Sequence, residues 1–230
     1  MLVAGIDGCP KGWIAVLATS TGHGLHFQSI TVYSALDAIL ATPDLAAIAL
    51  DIPIGLSDGP PRAADLDARR FLGRPRSSSV FPAPLRCLLD ATDYVTACEA
   101  SFAACGRRLS RQAFNILPKV RDADLLITPA LQTRVRECHP EVSFAALNAG
   151  SAMRHNKKTA AGRAERAALL NALFDQDLSL LRIPSGAARD DFYDAAILAW
   201  TAARIARGQA VSLPAEPPRD SRGLLMQIVY

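Results

Sequence analysis

The sequence predicts an α/β fold, in which a mixed sheet of five strands is flanked by helices and interrupted by a helical insertion. Two β-rich apolar runs meet at a turn within residues 3–17, which is typical of a hairpin. Residues 45–51 form a continuous apolar run, the pattern of a strand covered on both faces. The Ala-rich segment 190–207 predicts a late helix that approaches the sheet closely. We expect one domain over residues 1–230, with the insertion at roughly residues 61–131.

The first quarter of the chain is expected to supply four strands and a helix. A turn rich in Gly and Pro closes the first hairpin, and alternation over residues 25–33 predicts a third strand. Residues 34–40 predict a short helix capped by Ser34. The fourth strand ends at Asp51, because Pro53 cannot donate a hydrogen bond to a strand ladder.

The insertion is expected to be helical apart from one long loop. Residues 61–72 predict a helix that starts with Pro and is followed by Gly. Residues 74–84 are too rich in Pro and Ser for regular structure, and we expect an ordered loop laid over a site. Residues 86–131 predict helices broken at Gly106 and Pro118.

The last part of the chain returns to the sheet and then to helices. Residues 133–140 alternate and predict a fifth strand that Pro140 terminates. Three helices and a short closing strand are expected after it, at residues 141–147, 159–174, 190–207 and 224–230 respectively.

Composition excludes several classes of protein. Half of the residues are hydrophobic, which is ample for a sizeable core. No apolar run approaches the ~18–20 residues that span a bilayer, and the start of the chain lacks a signal-peptide pattern. Five scattered cysteines without a Cys-x-x-Cys pair indicate neither a disulfide framework nor a thiolate zinc site. We expect a cytoplasmic protein with reduced thiols and no membrane partner.

Charge is distributed unevenly along the chain. The net charge of +3 is too small for the electrostatic footprint of a general nucleic-acid binder. Residues 62–121 hold 11 basic and 5 acidic residues, a balance of +6, which leaves −3 for the rest. Arginine supplies 21 of the 25 basic residues, which suits phosphate recognition because guanidinium binds oxyanions bidentately. A GC-rich genome would enrich arginine equally well.

Acidic residues end three of the predicted strands. Asp7, Asp51 and Glu137 each lie at the carboxyl end of a strand, the edge where open α/β sheets bind ligands. A carboxylate in an apolar strand needs a partner, because burying it unpaired is costly. For Asp7 alone, the N–H groups of its own Gly-rich turn are an equally good partner.

The late helix begins with three more acids. Asp190 and Asp191 lie four and three residues before Asp194, so either can face a common point with it. The helix dipole alone also favours acids at a helix start. If these acids converge with the strand ends, a divalent cation would compensate their repulsion. Oxygen-only ligands suit Mg²⁺ or Mn²⁺, and two such ions about 4 Å apart promote phosphodiester displacement without a side-chain nucleophile.

Seven sequence blocks carry a resemblance to a known family: GIDGCPKGW (5–13), DIPIGL (51–56), SSSVFPAP (77–84), PKV (118–120), ECHPEVSF (137–144), KK (157–158) and DDFYDA (190–195). The order of hairpin, third strand, helix, fourth strand and late acidic helix resembles the ribonuclease H-like fold of nucleases, integrases and junction resolvases. Over nearly its whole length the chain is similar to the family catalogued as domain of unknown function 429, a predicted ribonuclease H-like nuclease group.

The resemblance implies a metal-dependent nuclease with Mg²⁺ or Mn²⁺ as cofactor and nucleic acid as partner. By the superfamily pattern Asp7 bridges the metal, and either Asp190 or Asp194 is its helical ligand. The implied catalytic residues are Asp7, Asp51, Glu137, Asp190 and Asp194, and the implied metal ligands are these five and Asp191. The lysines at family positions, expected to meet phosphate or pair with the acids unless they are solvated surface residues, are Lys119, Lys157 and Lys158. His139 is a candidate proton carrier or a cap of its strand end.

Two other functions remain open on the sequence. An actin-like phosphotransferase relative would use a similar Asp-Gly hairpin, but such proteins need a second copy of the fold and a Gly-Gly adenosine loop, and neither is found here. A non-catalytic nucleic-acid or protein binding module would use residues 62–121 as its docking surface. Gathered carboxylates favour the enzyme, because a binding module has no reason to gather them.

Overall fold

The chain forms seven strands and eight α-helices in residues 1–22, 24–59 and 61–230, which the computed structural model describes. The strands are β1 (Leu2–Cys9), β2 (Gly12–Thr21), β3 (Gly24–Tyr33), β4 (Leu45–Leu50), β5 (Val135–Glu137), β6 (Ser212–Leu213) and β7 (Ile228–Val229). The helices are α1 (Leu36–Leu40), α2 (Ala63–Leu72), α3 (Tyr94–Cys105), α4 (Arg111–Asn115), α5 (Leu117–Leu126), α6 (Pro140–Leu147), α7 (Ala160–Leu173) and α8 (Arg189–Ala206).

A five-stranded mixed sheet lies at the centre of the fold, in the order β3-β2-β1-β4-β5. The first three strands form an antiparallel meander, whereas β4 pairs parallel with β1 and β5 parallel with β4. The carboxyl ends of β1, β4 and β5 therefore meet at one edge. The predicted five-stranded sheet with flanking helices is confirmed, and this architecture is consistent with the ribonuclease H-like fold that the resemblance implies.

Both faces of the sheet are covered because alternate residues of its strands point to opposite sides. Val3 and Ile14 lie in a core with α8, whereas Ile6 and Trp13 lie in a second core with α1 and α5. All four side chains are at most 1 % exposed, so the central strands are as fully buried as their apolar sequence predicts.

Helix α8 lies directly on β1 because both surfaces carry small residues at the contact. A Cβ atom added to Gly5 would lie 2.1 Å from the carbonyl oxygen of Ala195 and 2.2 Å from the amide nitrogen of Ala199. Only glycine fits such a backbone approach. The long helix predicted at residues 190–207 is confirmed within one residue at each end.

Several predicted boundaries are wrong. The side chain of Ser34 does not cap α1, which begins after Ala35. The fifth strand is only Val135–Glu137, because residues 131–133 form a 3₁₀ turn and Pro140 already starts α6. The closing strand is reduced to β7, which pairs with β6, a two-residue strand too short for any sequence period to indicate.

Helices α2 to α5 lie within the predicted insertion, residues 61–131. Gly106 ends α3 with φ of +70°, and Pro118 stands in the first turn of α5, where a missing N–H costs nothing. Residues 74–84 form a loop with one 3₁₀ turn at Ser77–Ser79. A membrane crossing would need a longer apolar helix than any in the described residues.

Candidate functional site

A cavity of about 630 Å³ opens where the parallel strands of the sheet end. Strand ends form one part of its wall, residues 76–81 of the long loop and the insertion form another, and residues 156–158 complete it. The acidic and basic residues that line it are Asp7, Asp51, Arg62, Asp65, Arg76, Lys119, Glu137, His139, Glu141, Lys157, Lys158 and Asp194. Acidic and basic side chains are therefore concentrated together in this one cavity.

Asp7 and Asp51 face each other because their strands are parallel neighbours. Ile6 of β1 pairs with Leu50 of β4, and the Asp51 amide donates to the Ile6 carbonyl at 2.9 Å. The Oδ1 of Asp7 accepts a hydrogen bond of 2.6 Å from the Gly8 amide, and the Asp7 carboxyl lies close enough to Asp51 to act on its pKa. Burial, followed by the charges of Asp51 and Asp194, raises the pKa of Asp7 well above its ordinary value. Burial also raises the pKa of Asp51.

Asp194 joins this pair from the second turn of α8, where it is 1 % exposed. Its Oδ2 accepts a hydrogen bond from the Nζ of Lys157, whereas its Oδ1 is buried and accepts none from the described residues. Burial raises the pKa of Asp194 to about 7, although Lys157 acts in the opposite sense. Burial would lower the pKa of Lys157, but Asp194 and Asp7 raise it. Three carboxylates therefore converge here around one ammonium group.

Asp190 and Asp191, the other two acids of α8, lie outside the cavity lining. The Oδ2 of Asp191 accepts a hydrogen bond of 2.8 Å from the Ala188 amide and so caps the helix. Asp191 is near enough to raise the pKa of Asp7, but neither it nor Asp190 lines the cavity. Of the three acids that the sequence could not separate, Asp194 is the one that reaches the cavity.

Glu137 lines the same cavity, but both of its oxygens are already engaged. The Arg62 guanidinium donates to Oε1 at 2.7 Å and to Oε2 at 2.8 Å, and the Ile54 amide donates to Oε2 at 2.6 Å. Arg62 also binds Asp65, at 2.6 Å, which makes a buried network. Burial raises the pKa of Glu137, with Arg62 opposing it. Its contacts are those of a structural anchor between the sheet and the insertion.

The remaining lysines lie at the cavity wall. Lys119 donates to the Gly12 carbonyl and its Nζ lies 4.6 Å from the centre of the Trp13 ring. Burial lowers the pKa of Lys119. Lys158 is exposed, and its backbone amide donates a hydrogen bond of 3.0 Å to the Oδ1 of Asn156.

No group of three His, Cys, Asp or Glu side chains in the described residues is close enough to form a ready metal centre. The chemistry of the donors nevertheless suits a hard divalent cation, since Asp7, Asp51 and Asp194 offer only oxygen. The Oδ1 of Asp194 is a buried carboxylate oxygen with no hydrogen-bond partner in the described residues, and such an ion could satisfy it. Because the pKa values of Asp7, Asp51 and Asp194 are all raised, cation binding here would release protons.

Sequence reasoning missed three residues of this region: Arg62, Glu141 and Arg166. Arg62 precedes α2, where the helix dipole disfavours a cation, and that mismatch was a signal for a buried acidic partner. Arg166 of α7 is 1 % exposed and binds Glu141 of α6. The only sequence signal for Glu141 is its place four residues after Glu137 in the block ECHPEVSF.

One comparison with known proteins gives a match. The model of a family described as Protein of unknown function (DUF429) matches residues 5–219. Comparison with curated proteins and with solved structures gave no match. Because the matched residues are most of the chain, the protein belongs to the DUF429 family.

Proposed function

We propose that the protein is a metal-dependent nuclease that hydrolyses phosphodiester bonds of nucleic acid. The observation that carries this proposal is the convergence of Asp7, Asp51 and Asp194 from three separate parts of the chain. Gathering three carboxylates in a buried place is costly, and a structural role would not require it. An enzyme that needs a cation at this edge of the sheet would require it.

Asp7, Asp51 and Asp194 would hold Mg²⁺ or Mn²⁺ in this proposal. A bound divalent ion would supply an activated water and charge stabilisation for the leaving oxygen. Lys119 and Lys158, on the wall of the same cavity, would bind the phosphate that carries the scissile bond. Lys157 would neutralise the charge of Asp194 by its ion pair until substrate and cation enter.

His139 is suited to carry a proton in this cavity. Its Nε2 lies 3.3 Å from the Ser79 carbonyl oxygen, which can only accept, so Nε2 holds the proton of the neutral ring. Its Nδ1 is then a free base that has no hydrogen-bond partner in the described residues. Once protonated, the His139 ring would lower the pKa of Asp51 through its charge, so the ring lies close to the carboxylates.

Nucleic acid is the proposed partner because the insertion that walls the cavity is the basic part of the chain. Residues 62–121 carry a balance of +6 and include Arg76 and Lys119 of the cavity lining. We propose a cytoplasmic location because all five cysteines are free thiols, which is typical of a reducing compartment.

Hydrolysis assays test the proposal. Metal-free protein is incubated with single-stranded and duplex DNA, RNA and a four-way junction, with Mn²⁺ or with EDTA. We expect cleavage of at least one substrate with Mn²⁺, none with EDTA, and a loss of at least about 100-fold in Asp7→Asn. Asp44→Asn is the matched control, since Asp44 is exposed before β4, at the opposite end from Asp51. Cleavage that survives Asp7→Asn would contradict the proposal.

A non-catalytic binding module is the second candidate, and one observation favours it. Lys157 already compensates Asp194, and the raised pKa values of Asp7 and Asp51 favour their neutral forms, so the site is partly neutralised without any metal ion. A protein that binds nucleic acid but cleaves none of the four substrates with Mn²⁺ would support this candidate.

A further inference from the structure

Two buried carboxylate oxygens in the cavity wall have no hydrogen-bond partner among the described residues. They are the Oδ1 of Asp194 and the Oε2 of Glu141, which come from α8 and α6. Asp194 is 1 % exposed and Glu141 is 7 % exposed, and both line the cavity. The charge of Glu141 acts on Asp194, so the two side chains are electrostatic neighbours. A pair of buried carboxylate oxygens without donors is rare in proteins, because each unsatisfied polar group costs free energy.

The other oxygen of Glu141 is held firmly. Its Oε1 accepts a hydrogen bond from Nη2 of Arg166, whose Nη1 also donates to the carbonyls of His155 at 3.1 Å and Gly162 at 3.0 Å. Arg166 is itself buried and is fixed by three acceptors. The arrangement orients Glu141 while leaving Oε2 unused, as a supporting residue does for a metal ligand.

Glu137 and Glu141 differ in how many of their carboxylate oxygens accept hydrogen bonds. Glu137 is also buried beside an arginine, but three hydrogen bonds from Arg62 and the Ile54 amide occupy both of its oxygens. Within the described part of the chain, Glu141 receives a hydrogen bond on Oε1 alone. Of the two glutamates that line the cavity, Glu141 is therefore the one with an oxygen available to a cation.

We propose that Glu141 is a fourth carboxylate of the site and that its Oε2 and the Oδ1 of Asp194 together hold a divalent cation, Mg²⁺ or Mn²⁺. The inference rests on the proposed function, because it adds a ligand to the same cavity. Mg²⁺ and Mn²⁺ are commonly held by one or two carboxylates with water and substrate phosphate completing the shell. In this arrangement Oδ1 of Asp194 would contact the cation beside Glu141, while Oδ2 accepts the hydrogen bond from Lys157.

Crystals of the wild-type protein soaked in Mn²⁺ test the position directly by anomalous diffraction. We expect a peak about 2.1 Å from both Glu141 Oε2 and Asp194 Oδ1. A Mn²⁺ peak on Asp7 and Asp51 without one at Glu141 would overturn the inference and leave the proposed function standing. No peak anywhere in the cavity would overturn both.

Mn²⁺ affinity in solution gives a second test. Glu141→Gln keeps an acceptor for Arg166 and removes the anionic oxygen, so we expect Mn²⁺ to bind at least about 10-fold more weakly. Glu99→Gln, at an exposed position of α3, is the matched control and should bind as wild type. Because Glu141→Gln leaves the Arg166 charge unpaired, the double variant Glu141→Gln/Arg166→Gln is measured beside it. Wild-type affinity in either folded variant would overturn the inference.

Discussion

Gly5 of β1 lies against the backbone of Ala195 in α8, at a distance that leaves no room for a side chain. Asp7 is two residues beyond Gly5 on the same face of the strand, and Asp194 directly precedes Ala195. The contact between Gly5 and Ala195 therefore sets how close the two carboxylates come. The geometry of the site therefore depends on a glycine, which has no side chain of its own to contribute to it.

Gly5→Ala is expected to destabilise the protein by about 3 kcal/mol or more, since the added Cβ meets rigid backbone atoms. Urea denaturation followed by circular dichroism measures the loss. Gly22→Ala is the matched control, because nothing lies within 4 Å of its added Cβ, and it should change stability by less than about 0.5 kcal/mol. Equal stability of the two variants would contradict the close packing of α8 on β1.

The metal-free protein is expected to lose stability as pH rises from about 4 to about 8. The pKa of Asp194 is raised to about 7 and that of Asp7 is raised as well, so the native state binds more protons than the unfolded chain in this range. The free energy of unfolding then falls with pH, by about 1.4 kcal/mol for each unit of pKa shift. Thermal unfolding in EDTA across this range measures the trend, and rising stability would contradict it.

Asp7→Asn should remove part of that pH dependence. The Asn side chain carries no charge beside Asp51 and does not titrate in this range. At pH 8 in EDTA the variant should therefore be more stable than wild type, by on the order of 1 kcal/mol, with the difference shrinking toward pH 4. Parallel thermal melts check this, and a variant less stable than wild type at pH 8 would argue against the crowded carboxylates.

Lys157→Met should destabilise the metal-free protein at pH 8, because it leaves Asp194 buried without its counter-ion. The side chain of Lys157 is 35 % exposed, so a loss of about 1–3 kcal/mol is expected rather than the larger cost of a fully buried pair. Lys158→Met, at an exposed neighbour, is the control. Mn²⁺ should raise the melting temperature of Lys157→Met more than that of wild type, and an equal rise would contradict the competition between ammonium and metal.

Glu137→Gln should lower stability without affecting metal binding. The change leaves the Arg62 charge uncompensated in a buried network, at a cost of about 3–5 kcal/mol. The folded variant should still bind Mn²⁺ with wild-type affinity, since both Glu137 oxygens serve Arg62. Loss of Mn²⁺ binding from a folded Glu137→Gln variant would contradict this prediction and would support Glu137 as a metal ligand, as the family resemblance implies.

The central sheet was predictable because its strands follow simple rules. The first hairpin, the apolar fourth strand and the helix after Asp190 all have strong periodic or compositional patterns, and each is confirmed. The predicted fifth strand is longer than β5. The three residues of β5 form a strand because they pair with β4, and their own sequence pattern does not mark its ends. Strands β6 and β7 depend on tertiary pairing in the same way.

The site was predictable only in part. Strand-end position indicated Asp7 and Asp51, since residues after neighbouring parallel strands must lie close together. Nothing local in the sequence distinguishes Asp194 from Asp190, because that choice depends on how α8 is rotated against β1. The engagement of Glu137 by Arg62, 75 residues earlier in the chain, is likewise set by the fold alone.

A calorimetric titration of Mn²⁺ into the metal-free protein at pH 8 tests the central claim most directly. We expect saturable binding of at least one Mn²⁺ per chain with release of protons, lost in Asp7→Asn and kept in Asp44→Asn. The result that would contradict it is no Mn²⁺ binding by the folded wild-type protein, or binding that Asp7→Asn leaves unchanged.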